Sequence, residues 1–163
     1  MHRVQVPRGE ASLTRRSPAG PLAVAAAIVV LDQLTKIWAV GALSDGPVQV
    51  IGTILQFRLT RNPGGAFSLL TGLTPVLALL AVVMVVYIVR TTRRTSDAVM
   101  AYSLALVLGG AVGNLVDRLV RSPGFLRGEV VDFIKVPHWP TFNVADCAIT
   151  IGVILIAIRG WRQ

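Results

Sequence analysis

Phe142-Asn143-Val144-Ala145-Asp146 opens an apolar run that continues to Ile158 and stops at Arg159. The run reads as a membrane helix, yet its first turn holds an asparagine and an aspartate. Fourteen positions earlier a second aspartate stands in Val130-Val131-Asp132-Phe133. Neither carboxylate has a cation in the adjacent position. An ionisable side chain left in or beside a bilayer marks a functional site. The pair is read here as an aspartyl dyad, with the rest of the chain as its scaffold.

Outward from this stretch the sequence is a series of apolar runs. It has 163 residues, 53% of them hydrophobic and 15% charged, with mean hydropathy +0.67. That composition points to one polytopic membrane domain. Spans are expected at about 21–40, 70–89, 98–116 and 143–158. Twenty residues rise about 30 Å, enough for the hydrocarbon core. The expected fold is an all-α membrane protein of four transmembrane helices. Residues 1–20 are polar and basic, and are expected to form a disordered cytoplasmic tail before the domain at 21–163. The first apolar run lacks a small-x-small cleavage site and is read as an uncleaved helix.

Net charge is +8. The arginines lie between the apolar runs rather than in a stripe interleaved with aromatics, so lipid headgroups and topology explain them and nucleic acid does not. Nine Lys/Arg fall in the two tails and the short loop at 90–97, and six in the two long loops. Both termini are therefore expected in the cytoplasm, with the long loops outside. Lys36, Asn62, Asn114, Asp117, Asp132, Asn143 and Asp146 would then gather at the outer face.

The single Cys147 and the distant His2 and His138 exclude an intrachain disulfide and a thiolate or imidazole metal cluster. No metal and no cofactor are expected. HExxH, Gly-x-Ser-x-Gly and P-loop motifs are absent. Carboxylates remain. Of eight, Glu10, Asp45, Asp97 and Glu129 read as solvated. Asp32 and Lys36 are i,i+4 and can pair. Asp117 has Arg118 beside it, a pair read as structural glue or site support. Asp132 has a plainer reading as a loop carboxylate paired with Lys135. Asp146 has one as the N3 residue of a helix capped by Asn143. The 48–51 and 54–59 segments alternate around Gly52-Thr53 and read as a hairpin. Asn62-Pro63-Gly64-Gly65 reads either as a tight turn or as a ligand-orienting loop.

Taken in order, Asp32-Gln33-Leu34-Thr35-Lys36, Asn62-Pro63-Gly64-Gly65-Ala66-Phe67-Ser68, Gly113-Asn114-Leu115-Val116-Asp117-Arg118, Val130-Val131-Asp132-Phe133 and Phe142-Asn143-Val144-Ala145-Asp146 resemble the motifs of the lipoprotein signal peptidases, signal peptidase II. The resemblance covers about 22–158. It implies an aspartyl endopeptidase of the bacterial inner membrane, cutting diacylglyceryl-modified prolipoproteins just before the lipidated cysteine. It implies Asp132 and Asp146 as the catalytic dyad. Asn62, Gly64, Asn114, Arg118 and Asn143 would surround substrate and dyad, and Asp32, Lys36 and Asp117 would hold the site together. It further implies a small extracytoplasmic β-cradle in the first long loop and inhibition by globomycin-type cyclic peptides. Membrane lipids are the expected surroundings and a monomer the expected state. The asparagine loop departs from the family's usual Gly-Ala-Ala-like run at Pro63-Gly64-Gly65-Ala66. A small proton-coupled transporter subunit is the alternative reading, and a membrane scaffold without chemistry a third. A transporter would set its acid near the bilayer midplane, often with repeat symmetry, whereas here the acids gather at one end of the spans.

Overall fold

In the computed structural model, residues 17–64, 73–93 and 95–161 are described. Four helices, α1 (Ala19–Ala42), α2 (Thr74–Thr92), α3 (Ala98–Val120) and α4 (Val144–Trp161), are each long and apolar enough to cross a membrane. Leu34, Ile37, Leu79 and Ile151 point outward, which suits a bundle solvated by lipid tails. The expected basic tail before Ser17, Gly65 to Ser68 of the asparagine loop, the start of the second span, Arg94 and Arg162 lie outside the described residues.

α3 packs against each of the other three helices. Small residues permit this, because lipid gives helices little reason to associate beyond close packing. A Cβ on Gly109 would lie 2.7 Å from Cβ of Ile28, and one on Gly113 would lie 2.6 Å from Oδ2 of Asp32. The Gly109/Gly113 pair thus receives α1. Gly110, one position on, turns toward α4, where an added Cβ would run into the Ala145 carbonyl oxygen. An apolar cluster joins Ala39 of α1 and its C-cap residue Leu43 to Phe133. Trp38, Phe57 and Phe133 meet edge to face there, with centroids 5.5–6.0 Å apart.

The expected hairpin is present as β1 (Val48–Ile51) and β2 (Leu55–Asn62). The sheet, however, is not confined to the first long loop. β3 (Val130–Lys135), from the second, pairs antiparallel with β2 and completes a three-stranded sheet in the order β1-β2-β3. Val130 to Phe133 are all buried, so β3 lacks the alternation that marks a strand with one wet face. Its backbone is also tied to the residue before Asn143: Phe133 and Ile134 donate to the Phe142 carbonyl, and Phe142 donates back to Ile134.

Helix ends differ from the expected spans. α3 runs four residues past 116, placing Asp117 and Arg118 in its last turns. Ala19 and Gly20, assigned to the tail by composition, already belong to α1. Asp97 is not merely solvated: it caps α3 through the Met100 amide at 3.1 Å and pairs with Arg159 at 2.6 Å.

Substituting Gly110→Ala is expected to destabilise the protein by about 1–3 kcal/mol, because the Ala145 backbone cannot move aside cheaply. Gly41, with nothing within 4 Å of its would-be Cβ, is the control. Thermal unfolding in detergent should show a lowered midpoint for Gly110→Ala and none for Gly41→Ala; equal midpoints would contradict this packing.

Candidate active site

Asn62 pairs in register with Val130, and Thr60 with Asp132. Asp132 is therefore the diagonal neighbour of Asn62 on one face of the sheet, within reach across the strands. The Asn62 amide donates to Asp132 Oδ2 at 3.1 Å. Its own carbonyl accepts the Gly64 amide at 3.1 Å. The asparagine thus closes the turn, as one of the two readings expected, and also holds a carboxylate. Gly64 is buried in that turn, and the Thr74 hydroxyl donates to the Pro63 carbonyl beside it.

α4 begins with a reciprocal capping box. The Asn143 side chain accepts the Asp146 amide at 2.9 Å, and Asp146 Oδ2 accepts the Asn143 amide at 3.2 Å. A third orphan donor of this helix end, the Ala145 amide, is taken by Asp32 Oδ1 of α1 at 2.9 Å. Asp146 keeps its other oxygen for the Asn114 amide at 2.8 Å. Capping is real, and it leaves this carboxylate fixed at the mouth of the helix.

Asn143 joins the two halves. It is fully buried, and its amide donates to Asp132 Oδ1 at 2.7 Å while its backbone and carbonyl hold Asp146. Asp132 and Asp146 are thus brought to one place by a shared asparagine, with Asn62 and Asn114 on their outer oxygens. Among the described residues neither carboxylate has a salt-bridge partner. Lys135, the expected plainer partner of Asp132, donates instead to the Trp139 carbonyl at 2.6 Å. Burial pushes the Asp132 carboxyl up to about 7, with the negative charge of Asp146 adding to the effect; hydrogen bonds from Asn62 and Asn143 and the charge of Lys36 oppose it.

The salt bridges of the site are formed elsewhere. Lys36 is fully buried and lies 2.8 Å from both Asp32 and Asp117. It also donates to Asn114 Oδ1 at 2.9 Å. The expected Asp32–Lys36 pair is present. The expected Asp117–Arg118 pair is not the one formed: Asp117 pairs with Lys36 and with Arg121, the latter at 2.6 Å. Neighbours at i,i+1 point to different faces of a helix, whereas i,i+4 residues share one. Asp117 also accepts the Val131 amide at 3.1 Å, fixing β3 to α3 just before Asp132. Arg118 is instead a buried guanidinium whose Nη1 finds no acceptor among the described residues. Asp132, Asp117 and Asp146 are the carboxylates whose charge it feels. Gln33 and Arg121 were not singled out by the sequence. Gln33 donates to Asp32, to the Gly113 carbonyl and to Asp117 at 3.0–3.3 Å, and the i,i+4 spacing to Asp117 was the available signal for Arg121.

Chemically, the arrangement offers one carboxyl able to keep a proton near neutrality beside a second carboxylate, with a buried N–H of Arg118 close by and unsatisfied among the described residues. Among the described residues no three His, Cys, Asp or Glu side chains gather as a metal site.

The family model for signal peptidase (SPase) II matches residues 24–162. The chain belongs to the signal peptidase II family. Proteins named lipoprotein signal peptidase resemble it closely. The one from Rhodococcus jostii is 50% identical over 136 residues, spanning 83% of this chain and 69% of that protein. Those from Mycolicibacterium smegmatis and Mycobacterium avium are 48% and 49% identical, over 86% and 84% of this chain and 63% and 76% of theirs. A solved bacterial membrane enzyme structure, determined by the in meso method at 2.3 Å resolution, superposes with a TM-score of 0.80 at 29% identity, covering 88% of both chains. Membership of the family makes the chain a multi-pass membrane peptidase, and all five sequence motifs through which it resembles the family fall inside the matched residues.

The raised Asp132 carboxyl has a consequence for stability. Its proton is held more tightly in the folded than in the unfolded protein, so the stabilisation is complete below the ordinary carboxyl value of 3.8 and is lost as pH rises through about 7. Asp132→Asn, neutral at every pH, should flatten the fall in stability across that window. Denaturation midpoints measured from pH 4 to pH 8 would show this; parallel curves for the two proteins would refute it.

Proposed function

We propose that the protein is an intramembrane aspartyl endopeptidase that removes signal peptides from diacylglyceryl-modified prolipoproteins, cutting on the N-terminal side of the lipidated cysteine. The observation that carries this is the pair of carboxylates, Asp132 and Asp146, that form no salt bridge among the described residues and are bound to one buried asparagine. Family membership and the names of the relatives supply the substrate class.

Two carboxylates at a dehydrated site do not both ionise readily, so the pair holds one proton between them. The charged member takes a proton from a water molecule as its oxygen adds to the scissile carbonyl carbon. The protonated member hydrogen-bonds the carbonyl oxygen and stabilises the negative charge that develops there. Collapse of the tetrahedral intermediate breaks the C–N bond, and a proton passes from the pair to the leaving amine. The pair titrates as a unit, and acid and base exchange roles through the cycle. Arg118 Nη1 is the donor positioned for a substrate carbonyl, because a buried guanidinium N–H without an acceptor is costly until a ligand supplies one.

The dyad sits where β3 meets the start of α4, at the same end of the bundle as the sheet. This end faces outward if the Lys/Arg distribution sets the orientation, which keeps both termini cytoplasmic. A lipidated substrate can then leave its acyl chains in the bilayer while its peptide enters the site. Globomycin-type peptides would compete there. A monomer would suffice, since both carboxylates and all three asparagines of the site come from one chain.

Cleavage of a diacylglyceryl-modified prolipoprotein by purified protein in detergent, with a chelator present throughout, tests the proposal. Wild type is expected to cut; Asp132→Asn and Asp146→Asn should lose activity by about 10²–10⁴-fold or more while remaining folded. Near-normal turnover by either variant would defeat the dyad.

A further inference from the structure

Arg121 belongs to none of the five motifs, yet its side chain reaches into the buried cluster behind the dyad. Its Nε lies 2.6 Å from Asp117 Oδ1, and its side chain is 17% exposed while that of Asp117 is fully buried. With Arg121 included, the cluster balances: Asp32 and Asp117 are negative, Lys36 and Arg121 positive. Besides the bond from the Ala145 amide to Asp32, two connections lead from this cluster to the dyad. Lys36 donates to Asn114 Oδ1 at 2.9 Å, and Asn114 donates to Asp146 Oδ1 at 2.8 Å. Asp117 Oδ2 holds the Val131 amide at 3.1 Å, one residue before Asp132.

We propose that Arg121 is a positioning residue for the peptidase reaction, neutralising Asp117 so that Lys36 remains shared with Asn114 and the dyad sees no net charge from the cluster behind it. The proposal rests on the aspartyl peptidase reading. The groups that face Asp132 are Asp146 of α4, Lys36 of α1 and Arg118 of α3, with Asn62 of β2 and Asn143 as neutral donors. Without Arg121, Asp117 has Lys36 as its remaining salt-bridge partner among the described residues, and the cluster of paired groups carries one uncompensated negative charge next to β3. Negative charge nearby favours the protonated form of a carboxyl. The dyad would then keep its shared proton to higher pH, and Lys36 would be drawn off Asn114.

The test is the pH dependence of kcat/KM for a diacylglyceryl-modified prolipoprotein, using the full chain in lipid micelles. Arg121→Gln should move the alkaline limb upward by about half a unit to one unit. Arg121→Lys, which keeps the charge, should leave the limb at its wild-type position. The double variant Asp117→Asn with Arg121→Gln restores a balanced cluster and should return the limb to that position, whatever its rate. An unmoved limb in Arg121→Gln overturns the role of Arg121 while wild-type cleavage keeps the peptidase reading intact; a wild type that does not cut defeats that reading itself. If Arg121→Gln fails to fold, the double variant decides. Its folding supports the charge-balancing role, and its failure to fold overturns it, because no unpaired carboxylate then remains in the cluster.

Discussion

A single ammonium group, Lys36 Nζ, holds the architecture together. It lies in the bundle with no solvent exposure, 2.8 Å from each of two carboxylates that are equally buried. Through Asp32 it reaches the first turn of α4, because the other oxygen of Asp32 holds the Ala145 amide. Through Asp117 it reaches β3, by way of the Val131 amide. Through Asn114 it reaches Asp146. Replacing a buried ion pair by apolar groups often costs little, but removing one partner alone costs about 3–5 kcal/mol, since a bare charge is left behind. The cluster therefore specifies which helix ends meet and at what register. Small residues on α3 make room for it, as Gly113 does by letting Asp32 approach.

The site depends on a division of carboxylates into two sets. Asp32 and Asp117 have cations and hold the scaffold. Asp132 and Asp146 have amides. An amide can orient a carboxylate without fixing it in the charged form, whereas an adjacent cation would drive the proton off. Asparagine is well suited to the task because it donates from one end and accepts from the other. Asn143 uses both ends, capping α4 while gripping Asp132. Burial can then raise the Asp132 carboxyl toward neutrality, which is what the proposed proton exchange at physiological pH requires. In the same way, the helix-capping role of Asp146 and its place in the proposed dyad are one arrangement, because the capping box is what fixes the carboxylate in position.

Much of this was legible in the sequence, for physical reasons that differ by element. The bilayer demands long apolar runs, so four spans could be read from length and composition, and the i,i+4 spacing of Asp32 and Lys36 announced their pairing. The hairpin at β1 and β2 showed through its alternation. β3 did not, because a strand buried on both faces does not alternate and its pairing with β2 joins two loops far apart in sequence. That pairing is what places Asn62 beside Asp132. The partner of Asp117 was misread through sequence adjacency; the helix runs on past 116, and Arg121, one turn away, shares its face. The orphaned Nη1 of Arg118 is a property of packing that no one-dimensional pattern reveals.

The proposed sharing of one proton by Asp132 and Asp146 near neutral pH is tested most directly by a count of protonated carboxyls. Protein carrying ¹³C-labelled aspartate, held in lipid and titrated while the carboxyl signals are followed by infrared or NMR spectroscopy, gives that count. The prediction is one aspartate that stays protonated well above the ordinary carboxyl range, releases its proton near pH 7 and vanishes from the spectrum in Asp132→Asn. A spectrum in which every aspartate is ionised by about pH 5, as unperturbed carboxyls are, would contradict it.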